Sequence, residues 1–88
     1  MDEASLTERM AQGDQEALAE FIELKQGPLH AFIDRNLGVA LRRRVEPLDV
    51  FQEVSVECLR SLDSVDFGGK DPFGWLCQVA ERKIIDLY

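Results

Sequence analysis

Apolar residues recur along the chain at three- and four-residue steps, and no stretch reads as a strand, so every element the pattern predicts is helical. The clearest is Pro47 to Leu62. There Val50, Phe51, Val54, Cys58, Leu59 and Leu62 form one stripe over about four turns, behind a proline whose fixed φ suits a first helical turn. A different face of the same helix gathers Asp49, Gln52 and Glu53 at i, i+3 and i+4, close enough to act as one surface cluster. Helix packing does not require that cluster; a partner surface would.

The remaining elements follow from the same periodicity and its punctuation. Ser5-Leu6-Thr7-Glu8 has the form of a capping box, which predicts a short helix with Leu6 and Met10 inward, ending by Gly13. Asp14 is a good N-cap for the next helix and Glu16 suits its first turn. Leu18, Phe21, Ile22, Leu29, Phe32 and Ile33 then trace a stripe towards Asn36 and Leu37. Gly27-Pro28 interrupts this run; because the stripe keeps its phase across the proline, a kink is expected rather than a split. Lys25 falls on the stripe, with its stem expected on the core and its ammonium in water. Gly38 marks the helix end, and Val39 to Val45 is a basic connector, with room for a turn of helix, holding Arg42, Arg43 and Arg44. These arginines suit a solvated turn, or contact with phosphate or a protein surface.

Asp63 to Asp71 is a loop by its glycines and aspartates, and Asp71-Pro72 resembles an N-cap with proline at the first helical position. The last helix, Pro72 to Tyr88, carries Phe73, Leu76, Cys77, Ala80, Ile84 and Leu87 on one side, with Trp75, Gln78, Arg82 and Asp86 opposite. The expected fold is all-α: one domain over residues 1–88, a compact bundle of three main helices and a short N-terminal one. The pattern runs up to Tyr88, which reads as a longer protein cut there.

Composition narrows the function. Eighty-eight residues make one small domain with a marginal core, and a hydrophobic share of 45% argues against disorder. No run approaches the roughly 20 apolar residues that cross a bilayer, and the polar, acidic start is no signal peptide. Cys58 and Cys77 sit singly in helical patterns and read as reduced core residues of a cytoplasmic protein. The net charge of −7 is unlike that of a plain nucleic-acid binder, but it is segregated. Residues 1–24 hold seven acids and one base, 25–45 five bases and one acid, 46–66 six acids and one base, and 67–88 three of each. The acidic segments suit a basic protein partner; the basic and neutral ones remain free to meet phosphate.

No catalytic constellation emerges. His30 is the single histidine and has no partner at metal-ligand spacing, so it reads as a structural side chain, exposed or half-buried. No serine or cysteine has a His/Asp arrangement for nucleophilic attack. The carboxylates of Asp49 and Glu53 share an outer helical face, and Gly68-Gly69 is not followed by a phosphate-loop GK[ST]. No cofactor or metal is implied, and the chain reads as a binding module rather than an enzyme.

Three stretches in order, GDQEALAEFIELKQGPLHAFI, DVFQEVSVECLRSL and PFGWLCQVAERKIIDLY, resemble region 2 of bacterial sigma factors, most closely the extracytoplasmic-function group. The matching positions are Gly13-Asp14 with Ala17, Asp49 to Glu53, Phe73 with Trp75-Leu76, and Asp86 with Tyr88, and the resemblance covers roughly residues 10–88. It implies that Asp49, Gln52 and Glu53 dock on the clamp coiled coil of the largest subunit of the RNA polymerase core. That fits the residues themselves, since acidic and amide groups suit an arginine-bearing helix.

The resemblance also implies that the loop Asp63–Asp71 and the last helix hold single-stranded promoter DNA of the minus-ten element. Phe67, Lys70, Trp75, Gln78, Arg82 and Lys83 offer aromatic faces and positive charge for that task. Capture of unstacked bases would then melt the promoter by binding energy alone. Phe67 fits core packing and base contact equally, Trp75 fits packing better, and Lys70 and Lys83 also suit plain solvation. An anti-sigma regulator is a further partner of such domains. The sequence departs from the pattern at Arg82 (often Asn), Lys25 (often aromatic), Asp34 (often basic) and Leu48 (often acidic), and no helix-turn-helix segment follows. The rival expectation is an acidic helical interaction domain that binds protein and no DNA.

Overall fold

The computed structural model describes residues 2–88, which form six α-helices and one 3-10 turn, with no strand among the described residues. Helix α1 spans Glu3–Ala11 and α2 spans Gln15–Leu24. The capping box at Ser5 is not used. Asp2 caps α1 instead, its Oδ1 accepting from the Ser5 amide at 2.8 Å, so Ser5 to Glu8 lie inside the helix. An aspartate three residues upstream offers a stronger acceptor, and Glu3 behind it suits the helix dipole.

Gly13 closes α1 with φ +85°: its amide donates to the Met10 carbonyl and the Asp14 amide to the Arg9 carbonyl, a Schellman motif. Asp14 then caps α2 through the Glu16 and Ala17 amides. Arg9 grips the Asp14 carboxylate at 2.7 Å, and this bond, helped by those amides, holds the carboxyl below its ordinary value of 3.8.

The expected kink is a one-residue break. Helix α3 spans Gln26–Asn36, and Lys25 (φ −100°, ψ 12°) belongs to neither helix. Pro28 has no N–H to offer the Leu24 carbonyl four residues back, so the ladder fails where the proline reaches. The stripe nevertheless keeps its phase: Phe21, Ile22, Leu29 and Ile33 are all buried. Lys25 lies as expected, its ammonium 5.9 Å from the Phe21 ring centroid and 2.7 Å from the Glu3 carboxylate.

The connector forms a one-turn helix, α4, over Val39–Arg42, and Leu41 plugs it into the core. Helix α5 spans Pro47–Ser61 and continues as the 3-10 turn Leu62–Ser64, so the expected loop begins with ordered turn. Helix α6 spans Pro72–Leu87 and is capped as expected by Asp71, which accepts from the Phe73 amide at 3.0 Å.

Helices α1 and α2 form a hairpin, α5 pairs with α6, and α3 packs across both α5 and α6. Leu18, Phe21, Leu29, Ile33, Val50, Val54, Cys58, Leu76, Ala80 and Ile84 fill the centre. Two long-range hydrogen bonds tie the layers: Gln15 Nε2 donates to the Leu59 carbonyl, and the Gly38 amide to the Tyr88 hydroxyl at 2.9 Å. His30 is half-buried, as expected, and stacks on Phe51 at 4.1 Å between ring centroids. Of the two cysteines, only Cys58 is a core residue; Cys77 is half-buried. Burial pushes the Cys58 thiol up to about 12, with the nearby Glu57 charge adding to it. No described helix is long and apolar enough to cross a membrane.

Candidate docking face and groove

The phase that turns Val50, Val54 and Cys58 of α5 inward leaves Asp49, Gln52 and Glu53 exposed together on its outer side. Leu48 and Val56 are 52% and 53% exposed on the same side. With Gln52 they stand at i, i+4 and i+8, an apolar–amide–apolar row bordered by Asp49, Glu53 and Glu57. Arg60 pairs with Glu57 at 3.4 Å and closes the far end. Sequence reasoning found the polar trio and missed the apolar pair. Leu48 stood out only as a departure from a family pattern, whereas its signal was the row it makes with Val56, off the core stripe.

Beside this face, a groove of about 820 Å³ runs between the end of α5, the 3-10 turn with its following loop, and α6. Phe67, Lys70, Trp75, Gln78, Arg82 and Lys83 all line it. The loop turns back at Gly68 and Gly69, which take φ +55° and +80°, values that side chains rarely adopt, and the Lys70 amide closes the turn on the Phe67 carbonyl at 2.7 Å. Along α6, Gln78, Arg82 and Asp86 follow Trp75 at three- and four-residue steps, so one helical face forms a whole wall.

The two aromatic residues behave differently from exposed stacking platforms. Phe67 is only 8% exposed and sits in the core cluster, its ring meeting Trp75 edge-on at 5.4 Å and 85°. The choice left open for Phe67 falls to packing: it is the floor of the groove, with no free face for a base. Trp75 is half-buried against it, in the packing role expected, with part of the indole still open to the groove. Val79, absent from the expected core stripe, is buried beneath the same wall.

Among the described residues, no ion pair engages Lys70, Arg82 or Lys83. Their charge is nevertheless offset. Glu57, Asp66, Asp71 and Asp86 also line the groove, four carboxylates against three cations, and none of the four was singled out as a groove residue from sequence. Glu57 and Lys83 line both the groove and the shallow docking face, so the two surfaces adjoin. On the other side of α6, burial and the Asp71 charge raise the Cys77 thiol, which Arg35 opposes. No three described His, Cys, Asp or Glu side chains converge to hold a metal ion. Comparison with known protein families, with curated proteins and with solved structures gives no match.

Proposed function

We propose that this chain is a sigma-factor region 2 domain. In this reading the outer face of α5 docks on the clamp coiled coil of RNA polymerase, with Asp49, Gln52 and Glu53 as its polar contacts and Leu48 and Val56 as its apolar ones. The groove holds the non-template strand of the promoter minus-ten element: Trp75 offers a partial stacking surface, Gln78 hydrogen bonds to bases, and Lys70, Arg82 and Lys83 the phosphate contacts. Binding unstacked bases stabilises the melted promoter, and no bond is made or broken.

The observation that supports the reading best is the convergence of Lys70, Trp75, Gln78, Arg82 and Lys83 in one groove, floored by Phe67, that adjoins the exposed α5 face. The carboxylates between the cations fit a domain whose own affinity for DNA is low, and which gains a useful grip once polymerase aligns the strand.

An acidic interaction domain without DNA binding is the second reading, favoured by those same four carboxylates and the net charge of −7. The deciding experiment measures binding to the isolated clamp coiled coil, wild type beside Gln52→Ala and Glu53→Arg. Micromolar or tighter binding that both substitutions weaken, with unchanged circular dichroism, supports docking. Absence of wild-type binding, or indifference to both changes, removes the anchor of the sigma reading and leaves the interaction domain.

A further inference from the structure

The basic segment of the chain lies outside both surfaces described so far. Residues 25–45 carry five bases and one acid in a protein of net charge −7. Three of those bases, Arg42, Arg43 and Arg44, sit at the end of α4, and their roles divide. Arg42 turns back on α3, pairing with the Asp34 carboxylate and donating to its carbonyl at 3.0 Å. Leu41, 3% exposed, anchors the same turn from below, and its carbonyl accepts from both the Arg44 and Val45 amides. Arg43 and Arg44 are thus exposed on a braced base, and among the described residues no ion pair occupies either guanidinium.

We propose that Arg43 and Arg44 form a second anion-binding surface, which grips the phosphate backbone of duplex DNA continuing from the strand in the groove. Two observations favour that occupant. The Gly38 amide bonds to the Tyr88 hydroxyl, which ties the start of α4 to the end of α6, and the groove reaches Asp86 at that same end. A nucleic acid leaving the groove at that end would pass the end of α6, to which the element that carries the arginine turn is tied. Second, adjacent guanidinium forks match closely spaced phosphates, and a duplex presents the densest such array, about one charge per 1.7 Å of its axis. The link to the groove rests on the function proposed above; the affinity of the turn for duplex phosphate does not.

The test uses the full chain and fluorescence anisotropy with three probes: a single strand, the same strand continued by a duplex, and the duplex alone. Each is titrated over about 50 to 200 mM salt. The duplex portion is expected to tighten binding and steepen its salt dependence. Arg43→Ala/Arg44→Ala should reduce the slope of log K against log salt by about 2 on both duplex-bearing probes, one phosphate contact per arginine, and leave the single strand unchanged. Both residues are exposed, so circular dichroism should confirm an intact fold.

Equal slopes in wild type and variant, or no gain from the duplex, overturn the proposal. So does tighter binding of poly-glutamate than of duplex at matched charge and salt, which assigns the turn to an acidic protein. If wild type binds duplex with the expected slope yet ignores the single strand both as the free chain and when bound to polymerase, the groove reading fails and the arginine surface stands.

Discussion

The outer face of α5 and the groove beside α6 adjoin, but they are built on opposite principles. The face comes from one helix: its residues are exposed, its shape is the default shape of a helix surface, and removing any one leaves the core as it was. The groove is assembled from the end of α5, a turn, a loop and α6, and its floor is the core itself, since Phe67 belongs to both. A surface on one helix can change its chemistry without touching stability. A groove floored by core cannot, so changes there act on fold and binding together.

The strongest way to break that contrast is Phe67→Ala. Truncating a buried phenylalanine costs about 3–5 kcal/mol, a large part of the roughly 5–15 kcal/mol of a typical domain. Urea unfolding should therefore show a much lower midpoint, whereas Leu48→Ala on α5 should stay within about 0.5 kcal/mol of wild type. Equal effects would mean that the two regions are not mechanically distinct. Next in size, Trp75→Ala should weaken single-strand binding by about 1–3 kcal/mol if its open edge stacks one base, measured by anisotropy on polymerase-bound protein. Leu48→Ala should instead weaken coiled-coil binding and leave strand binding by the docked fraction unchanged. A crossed pattern would show that one surface does both jobs.

A smaller effect sharpens the contrast beneath the two helices. Cys58 lies sealed behind α5, while Cys77 on α6 is half-buried. At pH 8 an alkylating reagent should modify Cys77 first and spare Cys58, and unfolding should equalise them. The pH dependence has a definite sign. The Cys58 thiol is raised from its ordinary 9.0 to about 12, so the folded state holds it neutral. Its contribution to stability is complete below pH 9 and is lost as pH climbs towards 12, when only the unfolded chain ionises freely. Rapid native alkylation of Cys58 at pH 8 would mean that the α5 side opens as readily as the α6 side.

The same difference in construction explains what the sequence disclosed. The face of α5 was legible because helical periodicity alone brings Asp49, Gln52 and Glu53 together. The caps at Asp14 and Asp71 were legible because a side chain and the amides it serves are two or three residues apart. Members of the groove were named from a family resemblance, but periodicity gives neither the burial of Phe67 nor the gathering of Glu57 and Asp66 around the same groove as Lys83. Those depend on how loop and helix pack. The break at Lys25 needed a decision between phase, which survives, and the missing Pro28 donor, which acts locally; both effects operate, each at its own range. Asp2 was overlooked because the Ser5 box offers the same signature three residues later.

The hydrogen bond from the Gly38 amide to the Tyr88 hydroxyl joins residues fifty positions apart. An alanine side chain at Gly38 would stand 2.8 Å from that oxygen, so it would push the exposed Tyr88 hydroxyl aside and loosen the bond. Its consequence lies in how the chain opens. The α1–α2 hairpin and the α5–α6 pair join elements close in sequence and should form early and quickly, whereas this latch can close only after the last turn of α6 has reached α3 and α4. The Gly38 proton thus reports on the last step of assembly, and hydrogen exchange at that amide should speed up in Tyr88→Phe while the amides of α5 keep their protection.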